Sequence, residues 1–202
     1  MQLVGMLDSP YVRRTAISLR LLGLSFEHRS ISVFSTFEQF GAINPVVKAP
    51  TLVCDDGSVL MDSTLIVDYA EALSGRSLMP ADLAQRLRTL RLTGLALAAC
   101  EKTVQIVYER KLRPAEKLHQ PWMDRVQSQL CAAYSALERE MVEAPLSAKE
   151  RTMTQAGVSV AVAWAFTQLV TPDAVSAAEF PALAAYSAQA ENLPVFLGAP
   201  MV

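Results

Sequence analysis

Residues 2–6 are mostly apolar, and beyond a serine and a proline the apolar positions Val12, Ala16, Leu19 and Leu22 recur at spacings of three and four. The first run predicts a strand and the second a helix lying against a sheet. Ser9 suits an N-cap, because its oxygen can accept from an orphan N–H, and Pro10 suits the first helical position, where no donor is needed. The helix is therefore expected to begin at Ser9 or Pro10, with Arg13, Arg14 and Arg20 on its wet face, and Gly23-Leu24 marks its end. Residues 26–31, FEHRSI, alternate as a half-exposed strand does. Strand, helix, strand is a crossover unit, which implies a parallel pair joined right-handed.

Phe34, Phe37 and Phe40, at intervals of three, predict a short helix or helical turn ending near Gly41, before an Asn44-Pro45 turn. Residues 51–54 and 58–61 flank Asp55-Asp56-Gly57, the pattern of a tight antiparallel hairpin. Asp62 or Ser63 then caps a helix whose apolar face is assigned to Leu65, Ile66, Tyr69 and Leu73 and which ends at Ser74-Gly75. Residues 1–75 thus read β-α-β-α-β-β-α, a mixed four-stranded sheet with a helical layer. Past Pro80 the pattern is helical throughout. The helix from about 83 to 109 is given Leu87, Leu90, Leu95 and Leu97 as its dry positions and Arg86, Arg88 and Arg91 as its wet ones. Another runs from Pro121-Trp122 to about 141, residues 152–170 are apolar around most of the circumference, as in the central helix of a bundle, and residues 179–192 give a last amphipathic helix. The expected division is 1–76 and 83–202, with the linker near residues 75–82.

A chain of 202 residues, 51% hydrophobic, can bury a sizeable core, and a net charge of −2 gives no global pull toward nucleic acid or an anionic membrane. The longest apolar run, residues 158–166, is too short to span a bilayer, and the N-terminus does not read as a secretory signal. Cys54, Cys100 and Cys131 are widely spaced with no Cys-x-x-Cys pair, which fits reduced thiols in a cytoplasmic protein; with His28 and His119 the only histidines, no metal site is expected. What remains is Ser9. A strand ending at a helix N-terminus presents free N–H groups and partial positive charge, and a hydroxyl there can donate to an anion such as a thiolate. Ser9 can equally be only a cap.

Three stretches settle between these readings by resemblance: Ser9-Pro10-Tyr11-Val12-Arg13-Arg14, then Asn44-Pro45 with Lys48-Ala49-Pro50-Thr51-Leu52-Val53, then Leu60-Met61-Asp62-Ser63-Thr64-Leu65-Ile66. In that order and spacing they resemble the glutathione S-transferase superfamily, specifically its small bacterial cytosolic members. The resemblance covers essentially the whole chain and implies an α/β thioredoxin-like N-terminal domain plus an all-α C-terminal helical bundle. It implies a transferase that joins the glutathione thiolate to an electrophilic small molecule, with glutathione as cosubstrate and no metal. Ser9 would stabilise the thiolate, which is the nucleophile and which a free thiol near pKa ~8.5 barely provides at neutral pH. Ala49, ahead of a cis Pro50, would offer its backbone N–H and C=O to the cysteinyl part. Ser63 and its helix N-terminus would take the γ-glutamyl carboxylate, Asp62 the ammonium, and Lys48 a glutathione carboxylate. The electrophile pocket would draw on Tyr11, Phe34, Tyr108 and Arg113. The partners implied are glutathione, a small electrophile and a second copy of the chain in a homodimer, with no nucleic acid and no membrane; Arg86, Arg88 and Arg91 facing Asp68 and Glu71 could be complementary surfaces.

The chain also departs from the family pattern. The Ser/Thr-x-x-Asp capping box of the core helix is matched to Ser159-Val160-Ala161-Val162, with Val in place of the acid, and Gly94-Leu95-Ala96 stands where relatives carry an Ala-Asp-Gly-like run. A partner-subunit acid in the glutathione site is therefore not assumed. Two other functions stay open: a non-catalytic binding or protein-interaction module on the same fold, and glutathione-dependent peroxide or disulfide chemistry.

Overall fold

The computed structural model describes residues 1–201. It groups into two compact units: Met1–Leu78 together with the segment from Leu193 onward, and Met79–Asn192.

In the first unit β1 (Gln2–Val4), α1 (Pro10–Leu21), β2 (Glu27–Arg29), α2 (Phe37–Gly41), β3 (Thr51–Val53), β4 (Val59–Met61) and α3 (Ser63–Ser74) follow in the predicted order. The sheet runs β2-β1-β3-β4, with β1 parallel to β2 and antiparallel to β3, and β3 antiparallel to β4. Gly57 (φ 85°) turns the hairpin and Gly75 (φ 65°) ends α3, both in the left-handed region where a side chain is disfavoured. Val4, Ile31 and Phe40 form a core on one face of the sheet. By strand alternation Leu3 points to the other face, where α1 packs against α3.

Two expectations fail here. Arg13 and Arg14, assigned to the wet face of α1, are 1% and 3% exposed. Each is drawn in by a distant partner: Arg13 Nε donates to Ala199 O at 2.8 Å with its guanidinium over the Phe196 ring, and Arg14 Nη1 donates to Ser63 Oγ at 2.9 Å. Arg20 alone of the three is exposed, and it donates to Gly198 O. Arg13 and Arg20 hold the last stretch, which includes α8 (Pro194–Leu197), against α1, and from Leu193 the chain groups with the first unit. The apolar face of α3 is the second correction. Ile66, Val67 and Ala70 are buried, while Leu65, Tyr69 and Leu73 are exposed.

The second unit contains α4 (Leu83–Lys111), α5 (Gln120–Glu143), α6 (Gln155–Val170) and α7 (Pro181–Glu191). α6 is buried on nearly all sides, as expected of a central helix. Its cap is Thr154, whose oxygen accepts from Gly157 N–H, so the box lies five residues before the stretch proposed for it and has glycine at the acid position. The space is used: a Cβ on Gly157 would come 2.6 Å from the Tyr186 hydroxyl. In the core, Tyr134 Oη donates to Ala163 O at 2.9 Å, which obliges Thr167 to donate to Tyr134 at 2.6 Å and Thr103 to Thr167 at 2.7 Å. Along α4 the buried positions are Thr89, Leu92, Thr93, Ala96, Ala99, Cys100, Thr103 and Ile106; Leu87 and Leu90, expected dry, are exposed. Arg88 and Arg91 pair with Glu140, and Glu71 accepts from Ser77 and Leu78, while Arg86 and Asp68 are exposed.

Candidate functional site

Strand register brings three of the sequence-predicted segments to one edge. Val4, Thr51 and Met61 lie side by side across β1, β3 and β4. The chain leaves Val4 toward Ser9, enters Thr51 from Lys48-Ala49-Pro50, and leaves Met61 into Asp62-Ser63. Gly5 lets the first two approach. At φ 138°, a Cβ there would fall 2.6 Å from Val12 Cγ2 and 3.2 Å from the Ala49 Cβ, so a larger residue would push the turn before Ser9 away from Ala49.

Ser9 stands at the N-cap of α1. Its C=O accepts from Arg13 N–H at 2.9 Å and its N–H donates to Met6 O at 3.1 Å, but its hydroxyl makes no capping bond and is half-buried. The hydroxyl is thus held in place by backbone and keeps its donor for something else. The Ala49–Pro50 bond is cis, as the resemblance implies. The loop before it is braced by Asn44, 3% exposed, whose side chain donates to Thr51 Oγ1 at 2.8 Å and accepts from Val46 N–H at 3.0 Å, while Thr51 Oγ1 donates to Lys48 O at 2.7 Å. Sequence reading took Asn44 only as a turn residue; the signal for more was a polar side chain beside a proline in a run that has to hold a shaped loop. The Lys48 side chain is exposed.

Asp62 has φ 73°, a left-handed conformation that costs an L-residue energy and is retained where the surroundings fix it. Its carboxylate accepts from Thr64 N–H at 2.8 Å. Ser63 next to it is buried at the first position of α3, beside unpaired helix-end N–H groups and their partial positive charge. Arg14, missed as a site residue because it was placed on the wet face, donates to both Ser63 Oγ and Thr64 Oγ1, at 2.9 and 3.3 Å.

Of the residues assigned to the electrophile, Tyr11 is half-buried in the first turn of α1 and Phe34 is exposed ahead of α2. Tyr108 and Arg113 belong to the second unit. Burial raises the Tyr108 phenol above its ordinary value, and Arg113 donates to Glu109 Oε1 at 2.9 Å and to Lys117 O at 3.3 Å. Among the described residues no cluster of three or more His, Cys, Asp and Glu could hold a metal, and no helix is long and apolar enough to cross a membrane.

Residues 3–77 match the family described as "Glutathione S-transferase, N-terminal domain". A glutathione transferase family member from Pseudomonas fluorescens, solved with bound glutathione, is 30% identical with a TM-score of 0.86 over 100% of this chain and 98% of that one. A second structure of a Pseudomonas fluorescens family member, with bound S-(propanoic acid)-glutathione, is 30% identical with a TM-score of 0.81 over 98% of each chain. The uncharacterized GST-like protein YibF of Escherichia coli is 28% identical over 164 residues, 81% of this chain and 80% of that protein.

Proposed function

This chain belongs to the glutathione S-transferase family, and from that premise we propose that it is a glutathione transferase, joining the glutathione thiolate to an electrophilic carbon of a small molecule. The observation that carries the reading is the alignment of Val4, Thr51 and Met61, which delivers Ser9, Ala49 and Asp62-Ser63 to one sheet edge. An electropositive helix start with a free hydroxyl suits a sulfur anion; backbone groups beside Pro50 suit a peptide; the start of α3 suits a carboxylate. Ser9 donates to the thiolate and lowers its basicity without attacking anything itself. The sulfur's electron pair then forms the C–S bond as the leaving group departs with its own pair. Ser63 takes the γ-glutamyl carboxylate, Asp62 the ammonium and Lys48 a second carboxylate, while Tyr11 and Phe34 of the same unit help to select the electrophile. The relatives with bound glutathione and a glutathione S-conjugate support the substrate class.

The test is retention on immobilised glutathione together with turnover of a chloro-nitro-aromatic electrophile. Retention and turnover support the transferase; retention without turnover points to a binding module, and a protein that instead reduces peroxides or disulfides points to the third reading.

The working form in this proposal is a homodimer in the cytoplasm. Supporting it is a stripe of exposed apolar side chains on the first unit, with Leu65, Tyr69 and Leu73 one turn apart on α3 beside Val59 and Met61 on the edge strand β4. Such a stripe on a net-acidic chain fits a second copy's equally apolar face better than a charged partner. Light scattering on Leu65→Glu is expected to give the monomer mass where the parent gives twice it.

A further inference from the structure

Arg14 is buried to 3% exposure on α1, yet its guanidinium reaches across to the start of α3, with Nη1 2.9 Å from Ser63 Oγ and 3.3 Å from Thr64 Oγ1. An arginine offers donors only, so both hydroxyls must accept from it. Each hydroxyl has a single hydrogen, and for Ser63 accepting from Arg14 leaves that hydrogen to be donated elsewhere. Ser63 Oγ is itself buried, at the first residue of a twelve-residue helix, and the neighbouring Thr64 N–H is already taken by Asp62 Oδ1 at 2.8 Å. The donors remaining at this helix start for an incoming anion are the Ser63 hydroxyl and unpaired backbone N–H groups. A fixed cation one hydroxyl away polarises the Ser63 O–H in the direction an anion requires and adds charge where screening by water is weak.

We propose that Arg14 is a positioning residue for the substrate's γ-glutamyl α-carboxylate, acting through Ser63: it fixes the Ser63 hydroxyl as a donor and supplies the buried charge that makes this helix start selective for a carboxylate. The inference deepens the proposed function and rests on it. Arg13, its neighbour, has a different partner in the C-terminal segment, so the two arginines separate site organisation from anchoring of the chain's end.

The experiment compares binding of two peptides by calorimetry: glutathione, and the same tripeptide lacking only the γ-glutamyl α-carboxylate. The wild type is expected to prefer glutathione by more than tenfold. Arg14→Met is expected to lose about tenfold in affinity for glutathione, the scale of a hydrogen bond to a charged group, and less than twofold for the decarboxylated peptide. Arg14→Lys, which keeps the charge and a donor, is expected to recover part of the preference. A purely structural arginine would weaken both peptides equally, and that result, or no change with either, overturns the proposal. Should Arg14→Met fail to fold, Ser63→Ala with Arg14 intact serves: it must lose the carboxylate preference selectively, and an undiminished preference overturns the relay through Ser63. A wild type that binds neither peptide overturns the transferase reading as well, whereas binding of both without preference overturns only this inference.

Discussion

At the start of α3 the Asp62 carboxylate accepts from Thr64 N–H at 2.8 Å, and at the start of α4 the Asp82 carboxylate accepts from Gln85 N–H at 2.9 Å. At the start of α1 the capping position is equally well filled, by Ser9, and its side chain accepts nothing. All three are small polar residues directly ahead of a helix. The difference lies in what the side chain does once the backbone has turned. Asp82 satisfies the helix; Ser9 leaves that to its own carbonyl, which takes Arg13 N–H, and retains a hydroxyl fixed in position with its donor uncommitted. A cap whose side chain is not used as a cap is the better candidate for chemistry.

Removing each side chain breaks the comparison if it is wrong. Ser9→Ala has the largest expected effect: turnover of a chloro-nitro-aromatic electrophile falls on the order of a hundredfold, the scale of losing one donor to a reacting anion, while urea denaturation finds stability within about 0.5 kcal/mol of the parent. A stability loss of about 1 kcal/mol with unchanged turnover would make Ser9 a cap after all. Asn44→Ala comes next. Losing a buried side chain that bonds both ends of its loop costs about 2 kcal/mol in urea and weakens glutathione retention, because Thr51 and Lys48 lose their brace. Asp82→Ala should cost about 1 kcal/mol and leave turnover unchanged, the mirror image of Ser9→Ala.

The last effect is confined to high pH. Burial raises the phenols of Tyr134 and Tyr186 well above the ordinary tyrosine value. Below pH ~10 the folded and unfolded chains both hold these protons, and stability does not depend on them. Above it the unfolded chain releases protons that the folded one retains, so stability falls as pH rises, by up to about 1.4 kcal/mol per unit for each phenol. Tyr134→Phe should remove one phenol's share of that alkaline slope in urea titrations between about pH 9 and 11.

The order of elements in the first unit was legible because its signals are local: Ser-Pro before a helix, Asp-Asp-Gly in a hairpin, glycine after each helix. The faces of α3 were not. Ile66 and Ala70 form one apolar stripe and Leu65, Tyr69 and Leu73 another, and both satisfy helical spacing; only packing against α1 decides which is covered. Arg13 and Arg14 were misplaced for a related reason. Their burial depends on a carbonyl 186 positions away and a hydroxyl 49 positions away, partners that no window of sequence contains. The motifs around Ser9, Pro50 and Ser63 could be read as types, but Gly5, Asn44 and Arg14, which set those motifs in place, act through close approach and hydrogen bonds rather than through any pattern of spacing. The box of α6 shows the converse error: the family spacing fits Ser159 as text, whereas the helix begins where Thr154 meets Gly157.

The anchoring of the last stretch to α1 also orders events during synthesis. The strands and helices of the first unit leave the ribosome early, yet Arg13 cannot reach its carbonyl at Ala199 until the whole of the second unit has been translated. Domains ordinarily fold as they emerge. Here the nascent first unit lacks the Arg13–Ala199 bond through that interval, so the packing around α1, at whose start Ser9 stands, is completed only when the end of the chain arrives.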